Sequence, residues 1–498
     1  MKRFLLIVAV CCAALASMAQ INRPKLVVGV VVDQMRWDYL YYYYEDYGND
    51  GIKRLLAEGY SCENTMINYV PTVTAIGHTS LYTGSVPYFH GIAGNGFMIN
   101  GKPVSSTDDD SVEGVGTDSK AGKNSPRNLR ATTIGDELKH AFDFDCKVYG
   151  VAIKPRAAIL PAGHSADAAY WWDSNVGHFV TSTYYMDKLP NWVEKFNRQY
   201  NTEPKFNLNT SNQGVTYTFR MAEAILDNEK LGRGKYTDML CVSVSSTDAI
   251  GHTYSTRGRE NYEVYMQLDK ELAHFFKELD KQVGRGNYLL FLSADHGGAH
   301  NPNFMQEHNQ PAGGWDDSGA RKRMNLAIYN ECGVPNAIKA IYDYCIYLDY
   351  DKIDSVGADM AQVKKTALDV LNKEEELVLA VDYDSIEQAS IPHFLKERLI
   401  NGYHRGRSGD IVVMTHPGYI PFKVKKDYKG TTHGSWNPYD SHIPLVFMGW
   451  HVPHGATNKT TLIVDLAPTI CAMLHIQMPN ACVGEPIIFD VSNDRQPR

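Results

Sequence analysis

Side chains that can bind metal ions lie beside several separate apolar runs, and this recurrence restricts the fold of the chain more than any other feature. The apolar runs cover residues 25–32, 239–244, 288–292 and 443–448. The metal-binding side chains beside them are those of Asp33, Asp248, His252, Asp295, His296 and His433. Open α/β sheets bind ligands just beyond the carboxyl ends of their strands, so we expect these side chains to meet at one site. The pattern predicts a metalloenzyme.

The same runs predict the strands of a mostly parallel sheet. Residues 25–32 contain no polar break, as expected for a central strand that is covered on both faces. Residues 147–153 are a further strand candidate, and residues 46–58 and 260–279 have helical patterns. Because strands alternate with helices, we predict an α/β fold built around a mostly parallel sheet.

The length of the chain allows one large core with an inserted segment. The chain has 498 residues, of which 44% are hydrophobic, and this is enough for a large core. Residues 301–424 interrupt the alternation of long strands and helices with a small set of elements of their own. These elements are predicted at residues 362–371, 390–400 and 410–415. We predict a core in two parts, residues 20–300 and 425–498, with a cap formed by the insertion at residues 301–424.

Residues 1–19 have the layout of a cleaved secretory signal. Lys2 and Arg3 precede an apolar stretch that ends on small residues before Gln20. This stretch is short for a membrane span, so we expect export to a periplasm or beyond, without a membrane-spanning segment. The net charge of −8 provides no basic field to hold nucleic acid by its backbone. The sequence makes no prediction of the oligomeric state.

The ligand chemistry favours zinc. The set contains carboxylates and imidazoles but no sulfur, which suits zinc or a similar divalent ion better than magnesium alone. Six ligands are too many for one catalytic ion that keeps an open position, so we expect three for each of two ions. Two ions about 4 Å apart could hold the attacking and leaving oxygens of a displacement at phosphorus. Taken alone, the i, i+4 pair Asp248 and His252 is better explained as a helix cap and a surface histidine.

A nucleophile is predicted where residues 68–78 lead from an extended stretch into a helix that ends near Thr83. A threonine at such a junction most often caps the helix by accepting a backbone hydrogen bond. A helix N-terminus also binds anions, so a hydroxyl there would meet a bound phosphate group. The chemistry of the residues does not choose between Thr72 and Thr74.

The segment Lys154-Pro155-Arg156 places two cations close together. Extended residues at i and i+2 point to one face, and proline favours extension in the residue before it. We therefore expect both cations to reach one set of anionic oxygens, to which arginine offers a bidentate fork and lysine a point charge. The alternative is a solvated pair on the surface.

These motifs resemble those of the alkaline phosphatase superfamily, and within it the exported alkaline phosphatases that use threonine as nucleophile. The motifs that carry the resemblance are Pro71-Thr72-Val73-Thr74 with Gly77-His78, Asp248 to His252, Asp295-His296-Gly297 and Thr432-His433-Gly434. The resemblance covers nearly the whole mature chain. It implies an α/β/α sandwich around a mostly parallel sheet, with an inserted cap.

The resemblance also implies a role for each candidate residue. One zinc ion would be held by Asp248, His252 and His433, and a second by Asp33, Asp295 and His296. Thr74 would be the nucleophile, in contact with the second ion. Asn95 matches an asparagine that such enzymes direct at a phosphoryl oxygen, and Lys154 and Arg156 match the basic pair of the monoesterases.

Other members of the superfamily define the alternatives. Sulfatases carry a cysteine or serine in a Cys-x-Pro-x-Arg setting, which Thr74-Ala75-Ile76-Gly77 does not match. Phosphodiesterases and nucleotide pyrophosphatases share the threonine and the asparagine but generally lack the lysine and arginine. The resemblance therefore implies hydrolysis of small phosphate monoesters, with a phosphodiesterase or nucleotide pyrophosphatase as the alternative.

A rival from another class is a secreted metal- or anion-binding protein without turnover. Two further enzyme classes find no support in the sequence. The chain contains no Gly-x-Ser-x-Gly motif of a serine hydrolase. Gly122-Lys123-Asn124 lacks the other residues of a P-loop.

Overall fold

A computed structural model of the chain describes residues 22–489. The predicted signal at residues 1–19 lies outside the described residues. Among residues 22–489, no helix combines the length and the apolar character that crossing a membrane requires.

The described chain alternates strands with helices along most of its length. In chain order the strands are β1 (Leu26–Val32), β2 (Tyr60–Met66), β3 (Gly96–Ile99), β4 (Lys102–Ser105), β5 (Gly114–Val115), β6 (Val148–Ala152), β7 (Ala168–Asp173), β8 (His178–Ser182), β9 (Asp238–Val244), β10 (Tyr288–Ser293), β11 (Gly313–Gly314), β12 (Ile338–Tyr342), β13 (Cys345–Leu348), β14 (Leu377–Asp382), β15 (Ile411–Thr415), β16 (Tyr419–Ile420), β17 (His442–Ile443), β18 (Leu445–Gly449) and β19 (Gly455–Leu462). The α-helices are Tyr39–Tyr42, Ile52–Glu58, Thr74–Thr83, Pro87–His90, Ile134–Ala141, Pro155–Ala162, Asn191–Gln199, Asn212–Asn228, Ser246–Tyr254, Arg259–Leu279, Pro302–Glu307, Asp317–Cys332, Tyr350–Ser355, Met360–Leu371, His393–Gly402, Pro438–Ser441 and Leu466–Leu474.

The main sheet has 11 strands in the order β17-β2-β18-β10-β1-β9-β6-β7-β8-β5, with β19 beside β2. The five neighbours β10, β1, β9, β6 and β7 run parallel, and antiparallel pairs flank them on both sides. Strands β1, β6, β9 and β10 are buried at every residue, as expected when other elements cover both faces of a sheet. The predicted α/β fold with a mostly parallel sheet is confirmed.

Two predicted elements differ from the observed ones for local reasons. The apolar run at residues 443–448 is divided between β17 and β18, because Pro444 has no N–H group to donate to the sheet. The helix predicted at residues 46–58 begins only at Ile52 and ends at Glu58. The Gly48-Asn49-Asp50-Gly51 segment before it has turn-forming residues, which the helical pattern did not take into account.

The insertion contains a second sheet of four strands, in the order β12-β13-β15-β14. All its strand pairs are antiparallel. Its buried side chains form a separate apolar cluster that includes Trp315, Met324 and Ile411. The elements predicted at residues 362–371, 390–400 and 410–415 are observed as Met360–Leu371, His393–Gly402 and β15. The division between core and cap at residues 301 and 424 stays a prediction.

The parallel strands bring the candidate residues to one edge of the main sheet. β1 lies between β9 and β10, and their carboxyl ends are level, since Val32 pairs with Val244 and Val31 pairs with Ser293. Asp33 follows β1, Asp248 lies in the helix after β9, and Asp295 follows β10. The sheet register therefore determines that these three carboxylates face one another.

The helix Thr74–Thr83 approaches the end of β10 closely at Gly77. A Cβ atom at Gly77 would lie 2.2 Å from the carbonyl oxygen of Asp295. Only glycine allows the two backbones to come this close, so Gly77 sets the distance between Thr74 and the carboxylates.

We expect Gly77→Ala to destabilise the protein by about 1–3 kcal/mol, because the added methyl group overlaps backbone rather than a movable side chain. The measurement is the midpoint of denaturant unfolding. Gly234→Ala is the matched control, since a Cβ atom at Gly234 meets nothing within 4 Å. Equal midpoints for the two variants would contradict the close approach.

Candidate active site

The centre of the site is a set of buried carboxylates around one ammonium group. Asp33 and Asp295 are both 0% exposed. Lys154 Nζ donates to Asp33 Oδ2 at 2.7 Å and to Asp248 Oδ2 at 2.6 Å. Because Lys154 is itself only 8% exposed, the interpretation of Lys154 and Arg156 as a solvated surface pair is wrong.

The charges at this centre are unbalanced. Burial and the nearby charge of Asp295 raise the pKa of Asp33 well above its ordinary value. Burial also disfavours the charged form of Asp248, but Lys154 and His252 outweigh it and hold the pKa of Asp248 well below its ordinary value. One lysine pairs with only two of the three carboxylates, so the site attracts further positive charge.

Three histidines point the same ring nitrogen into the site. In each of them Nδ1 lies within hydrogen-bond distance of a backbone carbonyl. The carbonyls belong to Thr431 for His252, Gly297 for His296 and Thr72 for His433, at distances of 2.9, 2.9 and 2.8 Å. A carbonyl can only accept, so Nδ1 carries the hydrogen and a neutral ring keeps its lone pair on Nε2.

Those Nε2 atoms face carboxylate oxygens. His252 Nε2 lies 3.1 Å from Asp248 Oδ1, His433 Nε2 lies 3.6 Å from the same oxygen, and His296 Nε2 lies 3.6 Å from Asp33 Oδ1. Burial and the neighbouring His296 hold the pKa of His433 well below its ordinary value. A neutral Nε2 and a carboxylate oxygen both present lone pairs, and a cation between them satisfies both.

Two carboxylate oxygens add to this acceptor surface. Asp33 Oδ1 and Asp295 Oδ2 are buried and accept no hydrogen bond within residues 22–489. Asp295 Oδ2 lies 3.2 Å from His78 Nδ1, but that nitrogen is 2.9 Å from the carbonyl oxygen of Thr74. Buried acceptors without donors are costly, and binding of a metal ion removes that cost.

The ligand atoms divide into two overlapping sets, and in each set all the atoms lie within 4.8 Å of one another. The first set, Asp248, His252 and His433, is the one that the resemblance implies. The second set contains Asp33, Asp248 and His296. Asp248 therefore belongs to both sets. Asp295, which the resemblance implies as the third member of the second set, has Oδ2 at 3.5 Å from His296 Nε2. Each set could hold a metal ion.

Thr74, and not Thr72, presents its hydroxyl group to this cluster. Thr74 Oγ1 lies 3.5 Å from His296 Nε2, whereas Thr72 Oγ1 donates to the carbonyl of Ser435 at 2.9 Å. Neither hydroxyl caps the helix, because the N-cap position is occupied by Val73. Thr74 is the first helical residue, so its hydroxyl lies at the positive end of the helix dipole.

Asn95 is held beside the start of the same helix. Its Oδ1 accepts the backbone N–H of Ala75 at 2.9 Å. Because an N–H group donates, the side-chain oxygen must face Ala75, and the Nδ2 amino group is left to donate to another acceptor. Asn95 thus adds a donor next to the Thr74 hydroxyl.

The expected extended geometry of Lys154 and Arg156 is only half correct. Lys154 is extended, with φ −78° and ψ 130°, but Arg156 lies in the first turn of the helix Pro155–Ala162. Proline fits the first position of a helix as well as it fits an extended chain, and here it begins the helix. Burial acts to lower the pKa of Lys154, but the charges of Asp248 and Asp33 outweigh it and raise that pKa above its ordinary value, with the charge of Arg156 acting against them. The Nε of Arg156 is buried without a hydrogen-bond partner among the described residues.

Gln34 is a functional neighbour that the sequence did not single out. Its backbone N–H donates to Asp295 Oδ1 at 3.1 Å, and its Nε2 donates to Asp248 Oδ1 at 2.6 Å. Its φ of 63° lies in the left-handed region, which turns the chain sharply after β1. Its position next to Asp33 in the sequence could have indicated this role, because residues that hold metal ligands in place often adjoin those ligands.

Comparison with known proteins identifies the family of the chain. The model of the type I phosphodiesterase / nucleotide pyrophosphatase family matches residues 27–436. Alkaline phosphatase PafA of Elizabethkingia meningoseptica is 43% identical over 94% of this chain and 94% of its own. A Myroides odoratus protein named calcium-transporting ATPase is 44% identical over 97% of this chain and 98% of its own.

The structural comparison leads to the same group of proteins. The crystal structure of wild-type PafA matches with a TM-score of 0.90 and covers 94% of this chain and 99% of that one. The chain belongs to the type I phosphodiesterase / nucleotide pyrophosphatase family, within the alkaline phosphatase superfamily.

Proposed function

We propose that this protein is an alkaline phosphatase that hydrolyses small phosphate monoesters through Thr74, with two bound zinc ions. The observation that carries this proposal is the convergence of three histidine Nε2 atoms, three carboxylates and the Thr74 hydroxyl at one sheet edge. Similarity to alkaline phosphatase PafA over nearly the whole chain supports the substrate class. The name calcium-transporting ATPase describes the Myroides odoratus relative, and we do not extend it to this chain.

Zinc fits the donor atoms best, because imidazole nitrogens and carboxylate oxygens without sulfur suit a borderline divalent ion. Asp248, His252 and His433 would hold one ion, and Asp33, Asp295 and His296 the other, with Asp248 close to both. Bound there, the ions would lower the pKa of a hydroxyl group or a water molecule and neutralise charge on the leaving oxygen.

Thr74 performs the covalent step in this mechanism. Its Oγ1 forms a bond to phosphorus while the bond from phosphorus to the ester oxygen breaks. The hydroxyl proton of Thr74 passes to water, and the departing alkoxide takes up a proton from water to become the alcohol. Water then attacks the phosphothreonine, which releases phosphate and restores the Thr74 hydroxyl.

Asn95, Lys154 and Arg156 bind the phosphoryl oxygens. Asn95 Nδ2 is the donor that remains after its Oδ1 accepts from Ala75. Lys154 reaches Asp33 and Asp248, so a phosphoryl group bound beside these carboxylates lies within reach of the same ammonium group. Positive charge placed in advance stabilises the negative charge of the transition state.

The alternative is a phosphodiesterase or nucleotide pyrophosphatase, which the family name includes. Lys154 and Arg156 favour the monoester, because its terminal phosphate carries two negative charges, whereas a diester replaces one charged oxygen with a carbon chain. We also propose that residues 1–19 direct export and are removed, and that the insertion at residues 301–424 forms a cap on the core.

We expect Thr74→Ala to abolish turnover of a phosphate monoester, because no oxygen remains to attack phosphorus. The variant should still bind zinc, since the histidine and carboxylate donors are unchanged. The measurements are phosphate release and metal content of the purified protein. Thr72→Ala is the matched control and should stay active, because its hydroxyl donates to the carbonyl of Ser435 and only its backbone carbonyl, which alanine keeps, contacts His433. Undiminished activity of Thr74→Ala would refute this mechanism.

We expect Arg156→Ala to lower kcat/KM for a monoester by about 10²–10³, and for a diester of the same phenol by less than about tenfold. Arg156 gives a cleaner test than Lys154, because loss of Lys154 also leaves Asp33 and Asp248 without their shared donor. Arg259→Ala, which removes a cation whose side chain is 86% exposed, serves as the control. Equal losses on both esters would favour the phosphodiesterase alternative.

A further inference from the structure

Residues 423–429, which we call the lysine segment, concentrate positive charge close to the active site. The lysines of the segment are Lys423, Lys425, Lys426 and Lys429. All four are exposed, and among residues 22–489 their ammonium groups form no ion pair with a carboxylate. The segment contains one negative charge, that of Asp427. It is therefore locally positive on a chain whose net charge is −8.

The main chain of the lysine segment is held by two asparagines. Asn303 Nδ2 donates to the carbonyls of three residues of the segment, at 3.0, 3.2 and 3.0 Å. Asn301 Nδ2 donates to the carbonyls of Tyr428 and Gly430, at 3.0 and 2.7 Å. Because like charges repel one another, a segment of this composition needs such bonds to stay in one place. The lysines are thus presented from a fixed backbone.

The end of the lysine segment packs against the main chain of His252. A Cβ atom at Gly430 would overlap the carbonyl oxygen of His252, so glycine is required there. The backbone N–H of Thr431 donates to the carbonyl of Gly251 at 3.2 Å. The Tyr428 hydroxyl donates at 3.1 Å to the carbonyl of Thr431, the same oxygen that orients His252. These contacts place the segment beside one of the site histidines.

Solvent reaches the active site at His252. The side chain of His252 is 38% exposed, whereas those of His296 and His433 are 0% and 6% exposed. Asn95 and Arg156 are also partly exposed. These three partly exposed residues border the opening through which an ester enters. The lysine segment therefore lies at the mouth of the site, on the side of His252.

His252 lies on the side toward which the leaving group departs. Thr74 Oγ1 is 3.5 Å from His296 Nε2, which belongs to the second ligand set, while His252 belongs to the first. The attacking and leaving oxygens of a displacement at phosphorus lie roughly in line. Attack by Thr74 from the second set thus directs the leaving group toward the first set. The leaving group then faces the lysine segment.

We infer that the lysine segment determines specificity, by favouring monoesters whose leaving group carries a second anionic group, such as a carboxylate or a further phosphate. Charge of one sign at the mouth of a site raises the local concentration of substrates of the opposite sign. The lysines act on binding and not on the reacting atoms. This inference rests on the proposed function, since it requires Thr74 to attack a phosphate monoester.

The test compares two esters that differ by one charge. The leaving group of para-carboxyphenyl phosphate is anionic, and that of para-carbamoylphenyl phosphate has nearly the same shape but is neutral. We expect Lys425→Gln/Lys426→Gln/Lys429→Gln to lower kcat/KM at low salt about tenfold for the carboxyl ester and less than about threefold for the carbamoyl ester. The change should lie in KM, with kcat unaltered for both esters.

Salt provides the readout that a merely structural effect would not give. The Debye length falls from about 10 Å at 0.1 M salt to about 3 Å at 1 M. Sodium chloride at about 1 M should therefore remove the difference between the variant and the unaltered protein. Lys188→Gln/Lys322→Gln/Lys373→Gln is the matched control, because it removes the same charge from exposed lysines of other segments. It should leave the ratio of the two esters unchanged.

The possible outcomes separate this inference from the proposed function. Equal losses on both esters, a loss that persists at high salt, or the same change of ratio in the control would overturn the role of the lysine segment. Hydrolysis of neither ester by the unaltered protein would instead refute the proposed function. Hydrolysis of both esters, with the same ratio in the lysine variant as in the unaltered protein, would refute only the selection by charge.

Discussion

The mutual repulsion of three carboxylates, held together by the register of the central sheet, is the constraint on which the site depends. Asp33, Asp248 and Asp295 are brought together because β1 lies between β9 and β10 with level carboxyl ends. Lys154 neutralises only part of their charge. Carboxylates this close and this buried are stable only with further positive charge among them. The proposed cations would relieve the repulsion among these carboxylates, and the proposed chemistry of the site follows from the charge of those cations.

The three histidines of the site also direct a lone pair at it, through their Nε2 nitrogens. Each of the three is held by a backbone carbonyl, so the direction of Nε2 is set by the main chain rather than by a mobile side chain. The carbonyl of Thr72 orients His433, and Thr74 follows two residues later at the start of its helix. One short segment thus orients a candidate metal ligand and presents the proposed nucleophile.

Much of this arrangement could be predicted from the sequence, because its signals are local. Apolar runs followed by Asp33 or by Asp295 and His296 indicate strand ends without knowledge of the rest of the fold. The choice between Thr72 and Thr74 could not be made in this way, since it depends on a hydrogen bond to Ser435, 363 residues away in sequence.

A long-range contact also explains another residue that the sequence did not place. Gln34 contacts Asp248 across 214 positions. The prediction of an extended Arg156 was wrong for a different reason. Proline is compatible with both an extended segment and a helix start. Motifs indicate which residues carry the chemistry, whereas contacts between segments far apart in the sequence determine which of these residues lie together.

The most direct test of this account is anomalous diffraction at the zinc absorption edge, from crystals of the purified protein. The account predicts two zinc peaks about 4 Å apart, one beside the Nε2 atoms of His252 and His433 and the other beside His296 Nε2 and Thr74 Oγ1. Absence of metal, or a single ion to which neither His433 nor Asp33 contributes, would contradict it.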